Sequence, residues 1–151
     1  MYANMANVPA VLDTYLHGSD LFRRNSGFQP AEQEVVLLAI SQVNGCRYCT
    51  AAHSMLADKK SGVPAQVLKA IREQTPIPDP KLAALHAVTQ SMTRQLGKPD
   101  PETVRAFLAA GYQETHLMNI ILAISVKVLS NYTNMATGTE LDERFAGYRV
   151  G

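Results

Sequence analysis

The chain has 151 residues, 46% of them hydrophobic, with fourteen Lys and Arg against thirteen Asp and Glu and a formal charge of +1; this fits one globular domain over 1–151 with a single core and argues against disorder. No basic block occurs, Arg23-Arg24 and Lys59-Lys60 being the densest pairs, so nucleic-acid and anionic-membrane binding have no compositional support. Two cysteines are too few for a disulfide framework, residues 1–10 show no secretory-signal pattern, and the longest apolar stretch, 120–128, is interrupted by Ser125 and Lys127, so a cytoplasmic protein without a membrane span is expected.

The stretch 8–22 fits a short helix with Val11, Leu12, Tyr15 and Leu16 on one face, weakened by Gly18. Pro30 opens a helix through Glu34 and the apolar run 35–40 to about 43, where Asn44-Gly45 breaks it. The next helix starts near Cys46 and runs to about 60, with Gly62 as the stop. Pro64 opens another over 65–73, carrying Val67, Leu68 and Ile71 at helical spacing. The proline-rich connector 75–80 ends in Asp79-Pro80, a cap and first-turn proline for a helix over 81–96. Its stripe is Leu82, Leu85, Val88 and Met92, and Gly97 ends it. Asp100-Pro101 repeats the start signal for a short helix bearing Val104, Phe107 and Leu108 before Gly111. The last helix spans 113–135. No hairpin signal appears, so the expected fold is all-α, with six or seven helices.

Leu38-Ala39-Ile40-Ser41 recurs as Leu122-Ala123-Ile124-Ser125, and at the same offset of 84 Tyr48 meets Tyr132. Either two apolar helices coincide or a helical unit was duplicated. In both cases only the first copy carries reactive residues.

The chemistry concentrates in Cys46-Arg47-Tyr48-Cys49-Thr50-Ala51-Ala52-His53. Both cysteines stand three apart, a histidine lies four beyond the second, and Glu34 lies twelve before the first. On a helix, Cys46, Cys49 and His53 share one face within about 60°, while Tyr48 points to the other side unless the first turn is irregular. Three influences lower a thiol pKa here. Cys46 meets the unpaired N–H groups of a helix start. His53 can accept the Cys49 proton or pair with its thiolate. Glu34, folded back by the Asn44-Gly45 turn, can set the His53 tautomer. Two thiols and a base suit reversible disulfide chemistry.

The same four side chains, Cys46, Cys49, His53 and Glu34, also match the donor types of a zinc site. Ligands at i, i+3 and i+7 of one helix wrap a tetrahedral ion poorly, and no second CxxC exists, so no metal or cofactor is expected. His17, His86 and His116 lack a companion nucleophile and read as surface or packing residues. Met92, Met118 and Met135 read as core filler.

Glu34, eleven residues, then Cys46-x-x-Cys49-x-x-x-His53 resembles the core motif of the AhpD-like superfamily, which includes the carboxymuconolactone decarboxylase family. The resemblance covers about residues 29–60, and the tail Val128-Leu129-Ser130-Asn131-Tyr132-Thr133-Asn134 is similar to that of small CxxC-bearing members. It implies an all-helical fold, a homo-oligomer (trimer or hexamer) and thiol-dependent peroxidase activity. In that scheme a thiolate attacks the O–O bond of a small organic hydroperoxide and becomes a sulfenic acid. The other cysteine condenses with it, and an external dithiol of the thioredoxin or lipoyl type resets the pair. The resemblance also implies a relay from Glu34 through His53 to Cys49, with Cys46 as the disulfide partner, whereas the helix-start position of Cys46 argues for the reverse order. Peroxidase members carry a histidine where this chain has Tyr48, whose ordinary pKa of about 10 makes it a poor base, so Tyr48 is read as a supporting hydrogen-bond donor. Family decarboxylases lack the cysteine pair. Two alternatives stay open: a lyase acting on a carboxylated lactone, and a non-enzymatic oligomeric redox sensor.

Overall fold

A helix carrying Val35-Val36-Leu37-Leu38-Ala39-Ile40 is apolar on every face and must be buried all round. It becomes the central element of the fold. The computed structural model describes residues 1–150. Among them lie α1 (Tyr2–Ala6), α2 (Pro9–Asn25), α3 (Pro30–Val43), α4 (Arg47–Lys59), α5 (Ala65–Glu73), α6 (Pro80–Arg94), α7 (Pro101–Ala109), α8 (Glu114–Ala136) and a 3-10 segment (Glu143–Tyr148). No strand occurs among the described residues. Helix α3 is packed against α4, α6 and α8, and α2 lies along α8. The core around α3 includes Phe22, Phe28, Leu85, Val88, Phe107 and Ile120. Phe107 and Tyr112 stack with ring centroids 4.5 Å apart.

The proline start signals hold. Pro9, Pro30, Pro80 and Pro101 each occupy a helix first turn, and the Asp79 side chain accepts a hydrogen bond from the Leu82 N–H at 2.9 Å. The expected six or seven helices become nine helical elements. Helix α1 has five residues and the 3-10 segment six, too short for periodicity to register. The N-terminal helix is not short either: α2 runs for 17 residues, straight through Gly18.

Gly18 has a packing reason. A Cβ there would stand 2.8 Å from Val126 Cγ2 on α8, so the missing side chain lets the two helices approach closely. Two methionines also depart from expectation. Met92 is core, but Met118 and Met135 are 66% and 43% exposed on α8. The internal echo does not correspond to a repeated helix pair. Helix α3 stops at Val43 before a turn, whereas α8 continues unbroken to Ala136, so the likeness is between two apolar helices packed side by side.

Alanine normally favours a helix over glycine by about 1 kcal/mol. At position 18 the Val126 contact outweighs that gain, and Gly18→Ala is expected to destabilise by about 1–3 kcal/mol, the usual cost of overpacking. Urea denaturation measures it, and a stability gain would mean that α2 and α8 do not approach this closely.

Candidate active site

The site begins with how α3 ends. Gly45 adopts φ +73°, its N–H bonds to Gln42 O at 3.1 Å, and the Cys46 N–H bonds to Ser41 O at 3.0 Å. This paired closure of a helix end needs a left-handed residue, which glycine supplies without strain. It delivers Cys46 as the N-cap of α4, its Sγ accepting the Cys49 N–H at 3.3 Å. Both cysteines are free and buried, 1% and 2% exposed.

The two sulfurs are inequivalent. The two thiols interact as a pair of which only one ionises. That interaction, with burial, pushes the Cys46 thiol far up. The same interaction is the largest influence lowering Cys49, to about 5, and the Lys127 ammonium and the Asn134 N–H reinforce it against burial. The Asn134 Nδ2 donates to Cys49 Sγ at 3.2 Å. The helix-start position of Cys46 therefore does not make it the more acidic thiol of the pair.

Glu34 and His53 meet as expected, with His53 Nδ1 2.8 Å from Glu34 Oε2. The other carboxylate oxygen of Glu34 accepts from Arg23 on α2, and Arg23 is itself steadied by Gln33. Burial opposes ionisation of Glu34, yet His53 and Arg23 outweigh it and hold the carboxyl below its usual range. The second imidazole nitrogen departs from expectation. His53 Nε2 lies 2.8 Å from Lys127 Nζ, not on Cys49. Burial, then Lys127, pushes the imidazole pKa down despite Glu34. His53 is thus neutral, donating from Nδ1 to Glu34 and accepting at Nε2 from the Lys127 ammonium. On α8, Lys127 and Asn134 are two turns apart on one face, so they reach His53 and Cys49 respectively.

Tyr48 does not point away. It lines the same cavity as Cys49, because its ring packs edge-on against Phe145 at 5.7 Å and its hydroxyl donates to Asp142 Oδ2 at 2.8 Å. Burial and then Asp142 push its pKa up to about 12, so it stays protonated. Its hydrogen bond holds the C-terminal segment over the site and does not reach a cysteine.

The cavity measures about 250 Å³, and its walls include Cys49, His53, Lys127, Tyr15, Tyr48 and Phe145. Cys46 is not among its lining residues. A larger groove of about 560 Å³, bordered by Asp58, Lys69, Arg72 and Glu73, holds neither cysteine. The donors of the zinc alternative are committed elsewhere: Glu34 to Arg23 and His53, His53 to Glu34 and Lys127. Among the described residues, no group of three or more His, Cys, Asp or Glu is arranged to hold a metal ion. No helix among them is long and apolar enough to cross a membrane.

Three site residues escape the motif: Arg23, Lys127 and Asn134. Lys127 has a local signal, since it is the one charge inside the apolar stretch 120–128. A lone lysine there is either solvent-facing or buried for a reason, and it is 2% exposed. Asn134 closes the tail 128–134 that resembles small CxxC-bearing members, though nothing local marks it as a partner of Cys49, and Arg23 has no signal.

Comparison with known proteins agrees with this architecture. A protein of unknown function from Agrobacterium tumefaciens, whose description links it to the antioxidant defence protein AhpD, superposes with a TM-score of 0.78 at 15% identity, covering 91% of this chain and 94% of that one. The debrominase Bmp8 superposes with a TM-score of 0.80 at 15% identity, covering 95% of this chain and 77% of its own. A cysteine-to-alanine variant of Bmp8 in complex with 2,3,4-tribromopyrrole gives a TM-score of 0.80 at 14% identity, with the same coverage. At these identities the likeness establishes the fold. No curated protein matches the chain. The profile of one family matches residues 9–90, which run from α2 into α6 and include Glu34, both cysteines and His53, and the chain accordingly belongs to the carboxymuconolactone decarboxylase family.

Proposed function

We propose that the protein is a thiol-dependent oxidoreductase that reduces small, largely apolar hydroperoxides, with Cys49 as the attacking thiolate and Cys46 as the resolving thiol. The observation that carries this reading is the asymmetry of the sulfurs. Cys49 lines the cavity, takes an N–H from Asn134 and is acidified there; Cys46 is not part of the cavity wall and is held protonated. A hydroperoxide in the cavity meets a nucleophile in its reactive form. Attack forms the Cys49 S–O bond and breaks O–O, leaving an alcohol and a sulfenic acid. The Cys46 thiol then displaces water to form the disulfide, and an external dithiol restores both thiols. The relay implied by the family motif changes accordingly: His53 acts on Lys127, and Lys127 with Cys46 sets the state of Cys49.

The aromatic walls, Tyr2, Tyr15, Tyr48 and Phe145, favour one second reading, reductive dehalogenation of a small halogenated ring, by analogy with the debrominase that shares the fold. Bromide release from a bromopyrrole in the presence of dithiol would decide for it. A lactone lyase gains no comparable support, since a thiolate poised in the cavity has no part in it.

Self-association belongs to the same proposal. Met118, Ile121, Ser125, Val128, Tyr132 and Met135 recur every three and four residues along the outer face of α8, with no charge among them. This is the a/d spacing of helix pairing, which a second copy of α8 matches. Analytical ultracentrifugation is expected to show an oligomer that Ile121→Glu weakens; a monomer at micromolar concentration contradicts the proposal.

Cys46→Ser is expected to trap the intermediate: after peroxide the protein should carry a dimedone-reactive sulfenic acid at Cys49 and no disulfide. Cys49→Ser should form neither and lose turnover by orders of magnitude. Peroxide turnover that survives Cys49→Ser eliminates the reading.

A further inference from the structure

A thiolate attacking a hydroperoxide expels an alkoxide, a poor leaving group unless it is protonated as the O–O bond breaks. The cavity must therefore hold an acid as well as a nucleophile. Several O–H, N–H and S–H groups lie at or next to this cavity; Tyr2 is 51% exposed and open to solvent, and most of the buried ones are spoken for. The Tyr48 hydroxyl donates to Asp142 and is held protonated. Burial holds the Tyr15 proton more tightly still. The His53 N–H is given to Glu34. The Cys46 proton is held on its own sulfur and is consumed when the disulfide forms. Arg144 at the rim is a guanidinium, which does not release a proton.

Lys127 is different. It lines the cavity with Cys49, is 2% exposed, and reaches His53 Nε2 at 2.8 Å. Among the described residues no carboxylate lies within salt-bridge reach of its ammonium. With no carboxylate to pair with, the anion its charge favours is the Cys49 thiolate, so the buried ammonium is turned to the reacting sulfur and not to a structural ion pair. It has three N–H donors, and one is accounted for by His53.

We propose that Lys127 is the acid of the reaction, its ammonium protonating the oxygen that leaves as Cys49 attacks. This rests on the hydroperoxide reading above and adds the residue that reading lacks. Lys127 lies beyond residue 90, where the family profile ends. His53, fixed by Glu34, is a positioning residue: its Nε2 holds the amine against the cavity.

The step balances. The Cys49 thiolate forms S–O as O–O breaks, the sulfur is oxidised to sulfenic acid, and the alkoxide takes a proton from Lys127 to leave as alcohol. Cys46 S–H then attacks the sulfenic sulfur; S–S forms, S–O breaks, and the hydroxyl departs as water with the Cys46 proton. The external dithiol returns two electrons and two protons, one to Cys46 and one to Lys127, leaving Cys49 again as thiolate.

The test is single-turnover oxidation of the reduced protein by two oxidants: cumene hydroperoxide, whose leaving alkoxide needs a proton, and peracetic acid, whose leaving carboxylate does not. Lys127→Arg keeps the charge and a donor to His53 but holds its proton; Lys127→Met removes both. Lys127→Arg is expected to slow the hydroperoxide by about 100-fold or more, the usual range for a positioned acid, while the peracid rate changes by less than about threefold. Lys127→Met should slow both, the hydroperoxide far more. Equal effects on the two oxidants, or none, overturn the proposal. Should the variants not fold, the wild type still decides. Across a series of peroxides its rate should depend weakly on leaving-group pKa, and a steep dependence overturns the assignment. A wild type inert to every peroxide fails the underlying hydroperoxide reading instead, and the Lys127 role falls with it.

Discussion

Four ionisable side chains in a row, Arg23, Glu34, His53 and Lys127, join four helices through the interior of this protein. Each comes from a different element: α2, α3, α4 and α8. Glu34 and Lys127 are 1% and 2% exposed. Placing such groups in the core costs free energy, and replacing a buried ionic set by apolar residues is often neutral or stabilising. Removing a single member is another matter, at about 3–5 kcal/mol for an orphaned buried charge. The row is therefore better understood through what it positions than through what it stabilises. One end is anchored by Arg23 and Gln33 near the surface. The other end is an ammonium at the wall of a cavity beside a sulfur.

The remaining order of the site comes from backbone geometry. The closure of α3 through Gly45 sets Cys46 half outside α4, with its sulfur turned inward to the Cys49 amide. One helical turn on, Cys49 faces the cavity. Nearly identical residues thus receive opposite assignments: one keeps its proton, the other loses it. The C-terminal 3-10 segment completes the cover, tied down by Tyr48 on Asp142 and by Arg72 Nη1 on Tyr148 O at 3.0 Å. The cover is aromatic on its inner side, where Phe145 packs edge-on against Tyr48 above the cavity that Cys49 lines.

Much of this was legible in the residues, for identifiable reasons. Prolines at helix starts and Gly45 after α3 act locally, so their effects can be read without a structure. The placement of Glu34 against His53 followed from the short turn between two helices. What escaped depends on long-range packing. Tyr48 faces the cavity because Phe145 and Asp142, nearly a hundred residues away, hold it there. Lys127 reaches His53 because α8 packs against α4, a contact between residues 74 apart in the chain. Gly18 looked like a weak point in a short helix, when its lack of a side chain is what the close approach of α2 to α8 requires. A lysine in an apolar stretch argues against a membrane span; its more informative message is a buried charge set between His53 and the acidified Cys49.

The central claim is that Cys49 carries the negative charge and Cys46 keeps its proton. Selective ¹³Cβ labelling of cysteine, followed by NMR across the pH range, tests it residue by residue. The account predicts that the Cys49 resonance titrates well below neutrality, near the value of about 5 set by its neighbours, while Cys46 stays a thiol throughout. A Cys46 that ionises first, or two cysteines that both titrate near the ordinary value of about 8.5, would contradict it.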